Sequence, residues 1–376
     1  YYADKIMNLS KLSTDECKKL YCTHSGYDAD GDCVDSIIEM VDHNTLVLVL
    51  LAETMRKAGK SPEEILSILE KQELDQEQAL VFHEYDYSAE EIEEYNKINS
   101  HLNVIFDISS MSDIEKQLLK AMSLVSQRGI KVEDFLSFCD NEAFSSDMIS
   151  AMSDLGWLEF RNELIVMHPI VSDLLFMNND IISDESYYNL ADYLEDQCNP
   201  DYISHISVVM DRVACALHLD RRYKNEDEER RIVIKSKLGR LYANIYRPKQ
   251  AREALLDAIN LANETERTEF LPYIYSFAGE VEKDFGTISS AIEFYEKAIA
   301  EGRKPENDYC EIVLESMMNV AACLVDNGDL ISANVSYDEA LYFAQLNSLD
   351  SYVYEIAKEL VSICTELELP DDKEKY

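Results

Sequence analysis

The chain has 376 residues, with 34 Lys+Arg against 74 Asp+Glu and a net charge of −40. Its apolar share of 47% is that of a folded protein, and Gly (10) and Pro (7) are scarce, which argues against turn-rich sandwiches, barrels and Gly-rich nucleotide folds and for long helices. The acidity argues against nucleic acid and anionic membranes as direct partners, because a polyanion needs a basic footprint.

The opening residues, YYADKIMNLSKLSTDE, lack the basic and apolar regions of a signal peptide. The longest apolar run, Leu46 to Ala52, is far short of the ~20 residues of a membrane span. Nine cysteines without a CxxC framework fit reduced thiols, so a cytoplasmic protein is expected. The chain starts without Met and reads as an excised part of something longer.

Capping-box spacing, a Ser followed three residues on by Glu, occurs at Ser13/Glu16, Ser61/Glu64, Ser88/Glu91 and Ser112/Glu115. It predicts helices near 13–22, 33–43, 45–58, 62–71 and 88–101, a helical block over 1–101. The block 102–178 differs. Helical patterns near 112–124, 131–139 and 145–155 precede two apolar stretches, Trp157–Phe160 and Leu164–Met167, that flank Arg161, Asn162 and Glu163. They predict a small hairpin, and three helices with a two-stranded wing make a winged-helix domain. Its third helix, FSSDMISAMSDLG, has no Lys or Arg and carries Asp147 and Asp154, so it is not expected to approach phosphates.

From 179 to 376 only helices are predicted, and they repeat. Gly239, Tyr242, Ala251, Leu255 and Ala258 form one set. Gly279, Ala291, Tyr295 and Ala298 follow it at a shift of 40, and Ala321, Ala333, Tyr337 and Ala340 at a further 42, with Gly286 and Gly328 in matching turns. Small residues let paired helices approach closely and the aromatic is expected to fill the gap between neighbouring units, which is the logic of tetratricopeptide (TPR) repeats. Segments 186–197 and 201–222 are expected to form a degenerate leading unit and 350–367 the capping helices. The fold class is therefore all-α: a helical block, a winged helix with a small β-hairpin, then an α-solenoid of TPR-like repeats.

No chemistry is self-contained. AGKS at 58–61 echoes the end of a phosphate loop, but Thr54 stands where G-x-x-x-x-G-K-[ST] needs its first Gly; a helix ending at Gly59 explains it. Asp28, Asp30, Asp32 and Glu39 have calcium-loop spacing, but Cys33 occupies the obligatory Gly position. The seven histidines form no HExxH or i, i+4 pair. No catalytic or metal residue is predicted, and the chain itself is not expected to be an enzyme.

The order of parts, NLSKLSTDECKKLY, IIEMVDHNTLVLVLLAETMRKAGKSPEEILSILEK, a winged helix ending in ELIVMHPIVSDLL, then repeats, resembles the portion after the ATPase core of STAND-type NTPases of the NB-ARC group. The resemblance covers essentially the whole chain. It implies a helical lid (1–101), a winged helix (102–178) and a repeat sensor (179–376) that binds a trigger. His43-Asn44-Thr45-Leu46 stands where the family has a Gly-x-Pro turn, without its proline, and Met167-His168-Pro169 matches the family's Met-His-Asp motif, with Pro for Asp. The resemblance implies that His168 meets the ADP β-phosphate; on residues alone it is a structural histidine. ATP or ADP with Mg is expected only with an N-terminal core, and none in this chain. The expected partners are that core, further copies on activation, and a protein, peptide or cationic ligand on the concave face of the repeats, with Tyr242, Tyr246, Tyr273 and Tyr275 as candidate anchors. Neither nucleic acid nor membrane is expected. The alternative is a stand-alone TPR regulator that binds a peptide or protein.

Overall fold

A computed structural model describes residues 12–27, 32–41, 43, 45–58, 61–73, 111–126, 128–168, 171–172, 175, 183–200, 205–224, 226–304 and 309–367. The chain divides into two compact units, Tyr1–Tyr193 and Leu194–Tyr376.

The first unit opens with helices α1 (Thr14–Ser25), α2 (Asp32–Met40), α3 (Thr45–Ala58) and α4 (Pro62–Glu73). Ser13 starts α1 as read from the spacing: Glu16 N–H donates to its hydroxyl at 3.4 Å, and Ser13 N–H donates to the Glu16 carboxylate at 2.8 Å. The same reciprocal pair forms at Ser61/Glu64, with bonds of 3.3 and 2.7 Å. Helix α1 runs three residues beyond its predicted end, to Gly26 at φ 73, where only a residue without Cβ turns left-handed at no cost. Helix α2 stops short of 43 because His43 adopts φ 57 and its N–H reaches back to the Ile38 carbonyl at 3.0 Å. Cys17 and Tyr21 of α1 are buried with Leu48, Leu51 and Met55 of α3, and the Tyr21 hydroxyl donates to Met55 Sδ at 3.0 Å. The predicted helix 88–101, its Ser88/Glu91 cap, and Asp28 and Asp30 lie outside the described residues.

Next come α5 (Asp113–Met122), β1 (Ile130–Lys131), α6 (Val132–Cys139), α7 (Ser146–Asp154), β2 (Glu159–Arg161) and β3 (Leu164–Val166). The predicted hairpin is β2–β3, paired antiparallel with Arg161 opposite Leu164. Its two-residue turn has Asn162 at φ 58, which Asn tolerates. A third strand was not predicted: β1 pairs with β3, giving the order β1-β3-β2. Gly129 makes this possible, since at φ 79 an added Cβ would lie 2.7 Å from the Ile165 carbonyl. Phe135, Ile149, Met152, Trp157 and Ile165 are buried beneath these elements.

Helix α8 (Glu185–Gln197) spans the boundary between the units. The second unit continues with α9 (Ile206–Tyr223), α10 (Glu228–Asn244), α11 (Pro248–Glu264), α12 (Leu271–Phe285), α13 (Ile288–Gly302), α14 (Cys310–Asp326), α15 (Leu330–Leu346) and α16 (Asp350–Glu366). Helices α10/α11, α12/α13 and α14/α15 are the repeated pairs. A Cβ at Gly239 would lie 2.5 Å from Leu255, and one at Gly279 2.6 Å from the Tyr295 ring. In the third pair Ala321 is buried in one cluster with Tyr337. The matched spacing is thus a packing rule: the small residue of each first helix receives the large residue of its partner. Second helices start on Pro248, on Thr287 accepting from Ser290 N–H at 3.1 Å, and on Asp329 accepting from Ser332 N–H at 3.1 Å. Gly286 and Gly328 share a place in the turn but not a conformation, with φ −119 and 78. The chain is all-α, with one minimal sheet among the described residues, and its second unit is an α-solenoid of TPR-like repeats.

Candidate functional site

The first helices of successive pairs, α10, α12 and α14, pack directly on one another. Arg240–Glu280 at 3.7 Å and Lys283–Asp326 at 3.9 Å tie them together, and the Arg240 guanidinium lies 4.4 Å from the Phe277 ring centroid. Helices in direct succession form the inner side of a solenoid, the surface such folds use for binding.

A pocket of about 450 Å³ opens where the turns within the pairs line up. Pro200, His205, Ile206 and Val209 form one wall, and Ala243, Asn244, Tyr246, Asp284 and Phe285 the other. Asn244 Nδ2 donates to the Pro200 carbonyl at 3.4 Å. Tyr246 stands edge-on to Phe285, with centroids 6.0 Å apart, and leaves 77% of its surface exposed, while Ile206 leaves 64%. The exposed lining is mainly polar, with His205, Asn244 and Asp284 beside the Tyr246 and Phe285 rings, and suits a polar group that can also rest on an aromatic ring.

A second group collects at the start of the first helices. The Tyr273 and Tyr309 rings meet edge to face at 5.5 Å. The Tyr352 hydroxyl donates to Glu315 at 2.9 Å, and Glu311 lies one turn before Glu315 on α14. Burial, then the neighbouring Tyr309, Glu311 and Glu315, raises the Tyr273 phenol above its ordinary range. Burial first, then the bond to Glu315 and the Glu315, Glu311 and Glu355 carboxylates, pushes Tyr352 up to about 12. Both phenols therefore stay neutral.

The four candidate tyrosines part company. Tyr246 lines the pocket and Tyr273 belongs to the aromatic–acidic group. Tyr242 and Tyr275 pack against the core that contains Ile232, Leu255 and Ile274, and burial is the largest cause of their raised phenols. Tyr275 also lies 6.4 Å from Phe294, centroid to centroid. His168 is half-buried just after β3, and its carbonyl accepts from Ser172 N–H at 2.9 Å. Tyr309, Glu311, Glu315, Tyr352 and the pocket's His205 and Ile206 were not singled out from sequence. Glu311 recurs at the repeat offset, as Glu229, Glu269 and Glu311, and with Glu315 at i, i+4 on a first helix it is a signal that could have found the group.

Among the described residues, no three His, Cys, Asp or Glu side chains could hold a metal ion, and no helix is long and apolar enough to cross a membrane. The nine cysteines are free.

No family model matches the chain, and no curated protein matches it at a significant level. Among solved structures, it is similar to nearly identical TPR-like repeats from Podosopora anserina, ascribed to a kinesin light chain, at 16% identity and a TM-score of 0.39, over 50% of this chain and 88% of that one. It is also similar to the Signal Transduction ATPase with Numerous Domains (STAND) protein with a tetratricopeptide repeat sensor from Pyrococcus horikoshii, at 14% identity and a TM-score of 0.36. That match covers 98% of this chain, which spans only 59% of the length of the other.

Proposed function

We propose that the chain is the regulatory, ligand-sensing part of a cytoplasmic STAND signal-transduction NTPase, in which the TPR-like repeats bind a trigger and a winged helix relays it to a nucleotide core. The observation that carries this reading is the element order α5-β1-α6-α7-β2-β3, with sheet order β1-β3-β2, upstream of a repeat unit. Helix, strand, two helices and a hairpin is winged-helix topology, and it supports the division into lid (1–101), winged helix (102–178) and sensor (179–376). Asp147 and Asp154 with no basic residue on α7 fit a winged helix used for packing and switching rather than for DNA.

In this reading the trigger must bind the open form better than the closed one, or it shifts nothing. The core, further copies of the chain on activation, and a protein or peptide trigger are the partners. His168 would contribute to the ADP site, where the nucleotide supplies the charge that holds the closed form. The Gly-rich backbone that cradles phosphates is not in this sequence, so the chain's own residues do not make a nucleotide site. Calorimetry with ATP and ADP should therefore give no tight binding; tight binding would overturn the reading. The upstream coding sequence gives a second test. A phosphate loop and Walker B strand about 150–250 residues earlier would support the NTPase, and a start codon close to residue 1 would leave the stand-alone TPR regulator, which the repeat unit alone also supports.

A further inference from the structure

We propose that the first turns of α12, α14 and α16 form a receptor for an arginine side chain, and that the partner on the inner face is an arginine-rich peptide segment. The proposal rests on reading the repeats as the binding part and specifies what they bind.

Three observations point to a cation. The first is aromatic. Tyr273 is 41% exposed and is braced by the Tyr309 ring, edge to face at 5.5 Å, so an aromatic side chain is presented to solvent where a planar cation can reach it. The second is orientation. Glu315 is held by the Tyr352 hydroxyl at 2.9 Å, a neutral donor that positions the carboxylate without cancelling its charge. The third is the pattern of neutralisation. On these helices Glu280 has Arg240, Asp326 has Lys283, and Glu282 has Arg252 at 2.6 Å, whereas Glu355, which adds to the negative charge around Tyr352, has no Lys or Arg partner among the described residues. Glu311 and Glu315 are exposed and have no Lys or Arg partner among the described residues. This negative charge is left without a cation beside a partly exposed aromatic side chain.

Arginine fits this group better than lysine. Its guanidinium can fork onto a carboxylate and stack on a tyrosine ring together, whereas an ammonium is a compact, strongly hydrated charge. The net charge of −40 would draw such a peptide in from beyond contact distance.

The test is fluorescence anisotropy on this chain with four labelled peptides of one length, rich in Arg, Lys, Gln or Glu. The Arg peptide should bind most tightly, the Lys peptide more weakly and the other two least. The Glu311→Gln/Glu315→Gln double variant should weaken the Arg peptide by about tenfold or more, as expected for losing a charge-assisted contact. Tyr273→Leu should remove the preference for Arg over Lys. Arg-peptide affinity unchanged in the double variant would overturn the proposal, as would equal affinity for the Gln peptide. If the Gln or Glu peptide binds best and Tyr246→Ala abolishes it, the arginine receptor is wrong while the sensor reading stands. If no peptide of any charge binds, both fail.

Discussion

Tyr295 is wholly buried with its ring over Gly279, and its hydroxyl has no hydrogen-bond partner among the described residues. Burial, then Glu280, Cys323 and Asp284, raises this phenol far above its ordinary range. An unpaired buried hydroxyl costs free energy, so Tyr295→Phe should leave stability unchanged or raise it by up to about 1 kcal/mol in urea unfolding. Gly279→Ala should do the reverse. It gains ~1 kcal/mol of helix propensity, but its Cβ would sit 2.6 Å from the ring, and overpacking costs about 1–3 kcal/mol. The phenols also predict alkaline behaviour. Tyr337, by burial and then by Glu359, Glu355 and Asp326, is pushed up to about 12, as is Tyr352. A phenol raised from 10.0 stabilises the fold fully below pH ~10, and that contribution is lost as pH climbs to about 12. A tyrosinate absorbance titration should show these late phenols, with one fewer in Tyr352→Phe. The recurrence of Gly279 and Tyr295 at matched offsets was legible in the sequence; that Tyr295 packs over Gly279 of its own pair as well as beside Cys323 of the next was not. The Tyr352–Glu315 bond was not, because its two residues are far apart in sequence and only the stacking of pairs brings them together.

Helix starts are local, and so they were legible. Ser112 and Glu115 bond reciprocally, with 3.3 Å to the Ser112 hydroxyl and 2.7 Å to the Glu115 carboxylate. Ser112→Ala should cost about 0.5–2 kcal/mol, read as a lower melting temperature. Bonds from Ser112 lower the Glu115 carboxyl below its usual range, so the cap's contribution is present above that range and fades as pH falls through the lowered value. Contacts between elements were less legible. Arg252 of α11 bonds Glu282 of α12 at 2.6 and 3.2 Å and the Phe285 carbonyl at 3.2 Å. A double-mutant cycle on Arg252 and Glu282 should give a favourable coupling of about 0.5–1 kcal/mol, modest because Arg252 is partly exposed. Strand β1 escaped prediction because two residues carry no alternation; its partner strand and Gly129 create it.

For the molecule as a whole the excess of acid acts in two directions. Mutual repulsion among the carboxylates opposes compactness, so raising salt at constant pH should increase the stability of the chain. The same screening should weaken a basic partner. A rise in melting temperature alongside a fall in affinity is a signature that a neutral or acidic partner would not produce. At this scale the sequence carried the repeat architecture. It did not show which tyrosines reach the surface: Tyr242 and Tyr275 face the core from their helices, Tyr273 is exposed on α12, and Tyr246 lies in the turn after α10 at φ 57. Hydrogen exchange with and without the tightest-binding peptide tests the binding role of the repeats most directly. Slowed exchange in the first helices α10, α12, α14 and α16 is the predicted result. Slowed exchange confined to residues 113–166, or none anywhere, would contradict it.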